Sequence, residues 1–481
     1  MMKKIEVCLC WSLVVSALIV MPFNGVPLIA GPLQQHWVTA YYGGWELGTG
    51  SDGYLPVSDV DFSAMTDVVY FALVPNPDGT LDTADNDITK EGGAALVKAA
   101  HAAGANVLIC IGGWATEKDF LAATAPAILN KFVSNLVTFA RAGGYNGIDI
   151  DWEPLSQGDD SQFVALVKTL RDSVGPNYSL TSTAGSSTVM ASAQKYLDQI
   201  NIMTYDMSGD FPGWVSWFNS PIYNDGITFP GTQEYVPSID DEVRKYEAAG
   251  VPAAKLGIGA EFGGTVWQGI DLPGQLLNGL LSVQYDVPLY SPDTTGIMQK
   301  YYRSSYYHWD AKTEACYLSI PSLLPVDALF ISYDDSNSIA AKAEYIKEKG
   351  LGGIILYELG MGYPGNGTYP LLKTVKQQFS KFLAKPLPPT PPPPIAAKFQ
   401  QPYPNPFSRS VTIPLVINVA GDVDVEVYNV LGQRVATLYS GYIQAGTHDL
   451  SWSGFGHASG VYICTLMMGR LRASTKIVLI E

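Results

Sequence analysis

Along Tyr145-Asn146-Gly147-Ile148-Asp149-Ile150-Asp151-Trp152-Glu153-Pro154, an acid recurs at every second position. Side chains of a β-strand alternate between its faces, so Asp149, Asp151 and Glu153 share one face while Ile148, Ile150 and Trp152 share the other. The apolar set suits packing against helices, which turns the acids inward. An unpaired carboxylate in an interior costs several kcal/mol, so the row needs shared protons, dense hydrogen bonds or a functional reason. Carboxyls held in this way have displaced titrations, which is the property of a site that moves protons. A solvated acidic face on a half-exposed strand is the competing structural reading, and the flanking motifs favour a buried strand end.

The elements that must position this row alternate in type. Val38–Trp45, Asp67–Val74 and Asn106–Trp114 read as strands one to three, and the acidic stretch is the fourth. Tyr178–Ala184, Ile200–Asp206, Lys255–Phe262 and Gly353–Leu359 read as strands five to eight. Helical patterns fall between them at Gly93–Ala103, Ala125–Ala142, Phe163–Val174 and Ile339–Lys349, the second stopped by Gly143-Gly144. A long irregular segment carrying Phe330–Asp335 separates strand seven from strand eight. Eight strand–helix repeats predict an α/β fold, the TIM (β/α)8 barrel, with chemistry at the C-terminal strand ends. Trp45, Trp114, Glu153, Tyr205, Asp206, Tyr357 and Glu358 all fall at such ends.

Composition narrows the partners. The 481 residues suit a large domain plus a small one, and 47% hydrophobic with 15% charged residues is globular rather than disordered. A net charge of −16 without any basic stripe argues against nucleic acid. Cys8 and Cys10 lie in the N-terminal leader; Cys110, Cys316 and Cys464 are too scattered to frame disulfides or a metal site. No metal and no cofactor are expected. Lys3-Lys4 followed by the apolar run Val7–Met21 reads as a secretory signal peptide over residues 1–30, too short for a confident membrane span. No other stretch is long and apolar enough to be a transmembrane segment. The barrel is assigned to residues 31–385 and a polyproline spacer to 386–395. Residues 396–481 alternate like a small β-sandwich (Ig-like).

The acidic strand resembles the signature of glycoside hydrolase family 18, the chitinase family, written Asp-Gly-x-Asp-x-Asp-x-Glu and standing here as Asn146–Glu153. Tyr41-Tyr42, Ile111-Gly112-Gly113-Trp114, Met203-Thr204-Tyr205-Asp206, Tyr333-Asp334-Asp335 and Gly352-Gly353 follow the same family pattern in order. The resemblance implies a secreted chitinase that hydrolyses β-1,4-linked N-acetylglucosamine polymers by substrate-assisted retaining catalysis. Glu153 would protonate the glycosidic oxygen, with Asp151 beside it raising its pKa. The sugar's own 2-acetamido oxygen would attack the anomeric carbon. Asp151 would then orient the acetamido N–H and stabilise the oxazolinium ion. Tyr205 would donate to the acetamido carbonyl, and Asp149 would balance charge beneath. The same resemblance implies substrate-binding roles for Tyr41, Trp114, Met203, Asp206, Trp214 and Tyr357. For Trp45, Trp217, Trp267 and Trp309, packing is at least as good a reading.

Four positions depart from the family pattern: Asn146 for the first acid, Cys110 for a serine that supports the deepest Asp, Tyr357 for a tryptophan, and Gly257–Gly264 for a Pro-Phe-Tyr-Gly-Arg ending. The last leaves Glu261 without an assigned role. Alternatives within the family are an endo-β-N-acetylglucosaminidase acting on glycoprotein glycans and an inactive chitin-binding lectin; the intact Glu153 and Tyr205 argue against the lectin. In the tail, Tyr403–Phe407, Leu431–Val435, Gly446–His448, Ser459–Ile463 and Lys476–Ile480 resemble a type IX secretion sorting domain. That implies export to the medium or the outer cell surface, through the periplasm, by the type IX secretion machinery. A carbohydrate-binding module is the alternative for the tail, with Trp452 as its solitary stacking candidate.

Overall fold

The computed structural model describes residues 36–47, 55–156, 158–183, 185–365, 367–383, 397–418, 420–468 and 471–480. The leader expected at 1–30 and the proline spacer expected at 386–395 lie outside the described residues. Eight parallel strands form the first domain: Trp37–Gly43, Asp67–Pro75, Asn106–Gly113, Gly147–Trp152, Ser179–Ser182, Gln199–Ile202, Leu256–Glu261 and Gly353–Tyr357. Each pairs with the next, and the first pairs with the eighth (Trp37 with Gly353), so the sheet closes. A closed barrel of this kind packs its outward side chains under the helices and fills its interior with side chains in layers.

Strand four shows why the sequence folds this way. Ile148, Ile150 and Trp152 are fully buried outside the barrel wall, where the Trp152 ring stacks on Phe120 at 4.6 Å and meets Phe163 edge-on. The helix Leu129–Gly143 buries Phe132, Val133, Leu136, Val137 and Ala140, one stripe at helical spacing, and stops at Gly144, whose φ of 78° suits glycine. Asp335 and Ser338 form a capping box that starts the helix Ser336–Lys349.

Several expected boundaries move. The helix expected from Ala125 begins at Leu129, after a separate short helix Glu117–Ala123, because Pro126 disfavours helical backbone at the residue before it. Strand six ends at Ile202, strand eight at Tyr357 and strand one at Gly43. Met203–Asp206 therefore lie on the turn beyond the sheet, and Asp206 takes a left-handed φ of 51°. The segment expected to be irregular between strands seven and eight is largely a five-stranded antiparallel sheet. Its strands are Gly263–Gln268, Ser282–Pro288, Tyr307–Asp310, Ala315–Ile320 and Leu329–Tyr333. They are short, one is bulged between Gln284 and Val287, and so no clean alternation marks them.

The tail has its own core, built from a three-stranded and a four-stranded antiparallel sheet in the manner of a small β-sandwich. Trp452 belongs to that core, buried against Phe407 and Tyr462, so its ring is not available to stack on a sugar. No helix among the described residues is long and apolar enough to cross a membrane.

Candidate active site

The acid row opens into a cleft of about 170 Å³ at the C-terminal end of the barrel, lined by Tyr41, Phe71, Trp114, Asp151, Glu153, Thr183, Met203, Tyr205, Asp206, Asp286 and Tyr357. Asp149 lies deepest and is fully buried. It accepts hydrogen bonds from the Tyr41 hydroxyl at 2.9 Å and from Thr181, its partner in register on strand five. Burial raises its pKa, against the pull of the Thr181, Tyr41 and Cys110 donors. Cys110 faces the same acid, and its own thiol is held protonated by burial and by the Asp149 charge. Asn146 sits at the opposite strand end, where its Oδ1 accepts from the Val107 backbone N–H at 2.8 Å.

Asp151 accepts from the Thr183 hydroxyl at 2.7 Å and shares a hydrogen bond with Glu153. Burial, then the charges of Glu153 and Asp149, hold its pKa well above the carboxylate range. Glu153, coupled to Asp151, is raised too. Burial lifts it and the Asp286 charge adds to the lift, whereas the bond from Asp151 favours its ionised form. Proton and pair belong together, and the two carboxyls share one proton. The Glu153 carbonyl accepts from the Thr116 N–H at 2.9 Å, which pins the turn. The paired glycines of strand three let the backbones come close beside it. A Cβ on Gly112 would lie 2.0 Å from the Asp151 carbonyl oxygen, at a φ of 124°.

Aromatic rings make the rest of the cleft. Tyr205 and Tyr357 stack at 5.7 Å, and Tyr357 also meets Tyr41 and Phe71 at 6.0 Å each. Burial keeps the Tyr205 and Tyr41 hydroxyls protonated far beyond neutrality, so both act as donors. Trp114 is 78% exposed and stands at the rim as an uncovered ring.

Trp214 is not brought to this lining. It is half-buried, packed against Phe211 and Phe229 at 4.8 and 4.6 Å. Trp217 and Trp267 are buried core residues, and Trp45 lies half-buried beside Phe71 with its Nε1 donating to Glu358 at 3.3 Å. Phe71, Thr183 and Asp286 are lining residues that sequence reasoning did not single out. Thr181 and Thr183 carry the same period of two as Asp149 and Asp151, a signal that was there to be read; Asp286 has none.

Residues 38–362 match the family model for Glycosyl hydrolases family 18, and the chain belongs to that family. Residues 401–481 match the model for the Secretion system C-terminal sorting domain. Chitinase A1 of Niallia circulans is 32% identical over 289 residues, 52% of this chain and 40% of that protein. Chitotriosidase-1 of Mus musculus is 27% identical over 307 residues, 57% of this chain and 63% of that one. The chain thus spans less than two thirds of the length of these curated relatives. Among solved structures, the Group IV chitinase of Ostrinia furnacalis superposes with a TM-score of 0.60 at 24% identity, over 72% of this chain and 99% of that one. The family 18 N-acetylglucosaminidase of Paenibacillus barengoltzii gives 0.56 at 25%, over 71% and 99%.

Proposed function

We propose that this protein is a secreted chitinase, cleaving β-1,4-linked N-acetylglucosamine chains with retention through the substrate's own acetamido group. The observation that carries this reading is the hydrogen-bonded Asp151–Glu153 pair at the floor of an aromatic cleft, with the protonated Tyr205 hydroxyl beside it. A sugar oxygen leaves slowly unless protonated, and Glu153 is the member of the row nearest the mouth. Its shared proton goes to the glycosidic oxygen as the bond to the anomeric carbon breaks. The acetamido oxygen closes on that carbon, which makes an oxazolinium ion. Asp151 accepts from the acetamido N–H and neutralises the ion, while Tyr205 donates to the acetamido oxygen. Asp149, held by Tyr41 and Thr181, fixes where the remaining proton sits. Water activated by the now ionised Glu153 opens the ring from the face the leaving group vacated. Tyr41, Trp114, Met203, Asp206 and Tyr357 line the sugar path.

Membership of family 18 and the names of the relatives support the substrate class. The match at 401–481 supports export by the type IX machinery, with the barrel at 31–385 as the catalytic part. Digestion of acetylated oligomers followed by nuclear magnetic resonance should show the β-anomer first. An initial α-anomer rules the mechanism out, and release of glycans from a high-mannose glycoprotein with chitin oligomers untouched transfers the activity to the endo-β-N-acetylglucosaminidase reading. Deleting 399–481 should leave oligomer hydrolysis in the cell but abolish its appearance in the medium.

A further inference from the structure

The acids of strand four face the cleft; two others lie behind its floor. Glu46 comes one residue after Trp45, in the turn Gly44–Leu47 that leaves strand one. Glu358 comes one residue after Tyr357, just past the end of strand eight. Both side chains are buried, at 1% and 5% exposure, and they hydrogen-bond each other beside the seam where strands one and eight close the barrel. Glu358 also accepts from the Trp45 indole N–H at 3.3 Å and from the Gly43 backbone N–H. Close fits hold both ends of the pair. A Cβ on Gly360 would lie 1.6 Å from Glu46 Oε1, and one on Gly43 would lie 2.3 Å from the Trp45 ring.

No positive charge offsets these two acids. Among the described residues, no lysine or arginine pairs with either. Glu46 Oε2 and Glu358 Oε2 are buried without a donor. The titratable groups that face the pair are Tyr357 and Tyr369, with Tyr42 and Tyr363 set against Tyr369. Burial, then the charges of Glu46 and Glu358, keep the Tyr369 hydroxyl protonated; burial and the Glu358 charge do the same for Tyr357. Two carboxylates buried side by side without a cation are too costly to persist, so the closed pair needs a shared proton.

Three rings connect the pair to the cleft. Trp45 meets Phe71 edge-on at 5.8 Å, and Phe71 meets Tyr357 edge-on at 6.0 Å. Phe71 and Tyr357 line the cleft, and Tyr357 stacks on Tyr205. With the proton in place, each acid anchors the aromatic residue that precedes it. With the proton gone, the two charges repel and draw toward water, and the neighbouring rings shift with them.

We propose that Glu46 and Glu358 are positioning residues, a proton-held clasp behind the cleft whose closed form sets Phe71 and Tyr357 to receive the sugar. As pH rises, the shared proton leaves for solvent, the clasp opens and the sugar is held less tightly. The first proton leaves the pair near the value of about 7 to which burial pushes Glu46, and the last leaves at a higher pH. The sugar half of this inference rests on the proposed function; the clasp itself does not.

The test uses the full-length protein carrying Glu153→Gln, so that chitin oligomers bind without turnover. Calorimetry reads their affinity from about pH 6 to about pH 9. The dissociation constant should rise by about three- to tenfold over that range, the size of one aromatic contact. Adding Glu46→Gln supplies an amide N–H that bonds Glu358 at any pH, so most of the rise should vanish. Glu358→Gln, bonding Glu46 from the other side, should act likewise, and thermal melts confirm that each variant folds. Acids of the cleft such as Asp206 and Asp286 titrate in every one of these proteins, so the difference isolates the clasp. A second readout needs no sugar. With fluorinated tryptophan incorporated and the Trp45 resonance identified by Trp45→Phe, that resonance should shift over the same range in the wild type and hold still in Glu46→Gln.

Affinity that stays flat with pH overturns the inference, as does a rise of equal size in the folded glutamine variants. A Trp45 resonance that does not move with pH in the wild type also overturns it. If oligomers bind at no pH, the proposed function falls, and the Trp45 resonance alone decides whether the clasp exists.

Discussion

The strand-four row and the Asp206–Glu261–Asp286 group each crowd three carboxyls into one cleft, but they are furnished differently. The row is supplied with donors: Tyr41 and Thr181 on Asp149, Thr183 on Asp151, and a thiol at Cys110. In the outer group one oxygen of each acid lies within 4.8 Å of the others; Asn219 donates to Glu261, Asp206 and Asp286 hydrogen-bond each other, and Glu261 Oε1 has no donor. Donors built into the fold fix where charge and proton sit before any substrate arrives, which suits acids that act on bonds. Hydroxyl supply, more than acid count, distinguishes the two clusters.

The largest test of that contrast removes the proton from the row. Glu153→Gln keeps the shape of the side chain but cannot deliver a proton, so turnover of acetylated oligomers should fall by at least about 10²-fold. Retention on chitin, read by pull-down, should persist. Near-normal turnover would mean that the row is not the proton-delivering cluster. Next in size is Tyr205→Phe. Loss of a donor aimed at the acetamido oxygen should cost about 10- to 100-fold in kcat with a smaller change in KM, measured by steady-state kinetics. A change confined to KM would make Tyr205 a wall of the cleft and nothing more.

The same contrast explains what could be read from the sequence. Asp149, Asp151 and Glu153 lie on one strand, where a period of two is enough to place them, and the register Asp149 to Thr181 extends that period to the neighbouring strand. Strand ends are harder. Met203–Asp206 is apolar enough to pass for strand, yet the backbone leaves the sheet at Ile202 and turns Asp206 to a left-handed φ. Asp286 reaches the cleft only through a sheet inserted between strands seven and eight, and no local pattern links it to residues 80 positions away (Asp206) or more. Trp214 lies in a loop outside this lining, half-buried and packed against Phe229. The pKa of Glu153 is raised, with burial and the Asp286 charge behind it and Asp151 coupled to it.

A third group, a pair, extends the comparison to acids with few donors and no open face. Glu46 and Glu358 lie buried beneath Trp45, each with one oxygen lacking a donor. Burial pushes Glu46 up to about 7, and burial with the Glu46 charge holds Glu358 well above the carboxylate range. Both therefore bind protons more tightly folded than unfolded. Their contribution to stability is fully present below the ordinary glutamate range and is lost as pH rises through about 7 for Glu46. The melting temperature should decline over that window, and Glu46→Gln, neutral throughout, should flatten part of the decline. Calorimetry in a pH series decides it: a wild-type melting temperature that rises across the window would place ionised, not protonated, carboxyls in this pair.

The smallest effect joins the two clusters. Asp286 is negatively charged when ionised, and its charge helps to hold the proton on Glu153. Replacing it by asparagine removes that repulsion, so Glu153 ionises more readily and the general acid is spent at lower pH. The alkaline limb of kcat/KM, which reports the free enzyme, should move toward acid for fully acetylated oligomers. The shift should be modest, since Asp286 is exposed to solvent. Added salt should shrink the wild-type-to-variant difference, because the interaction crosses a solvent-filled cleft. A limb that stays in place would show that the outer group is electrically separate from the reacting row. Movement toward alkaline pH would contradict the sign of the interaction and place Asp286 among the donors of the row instead.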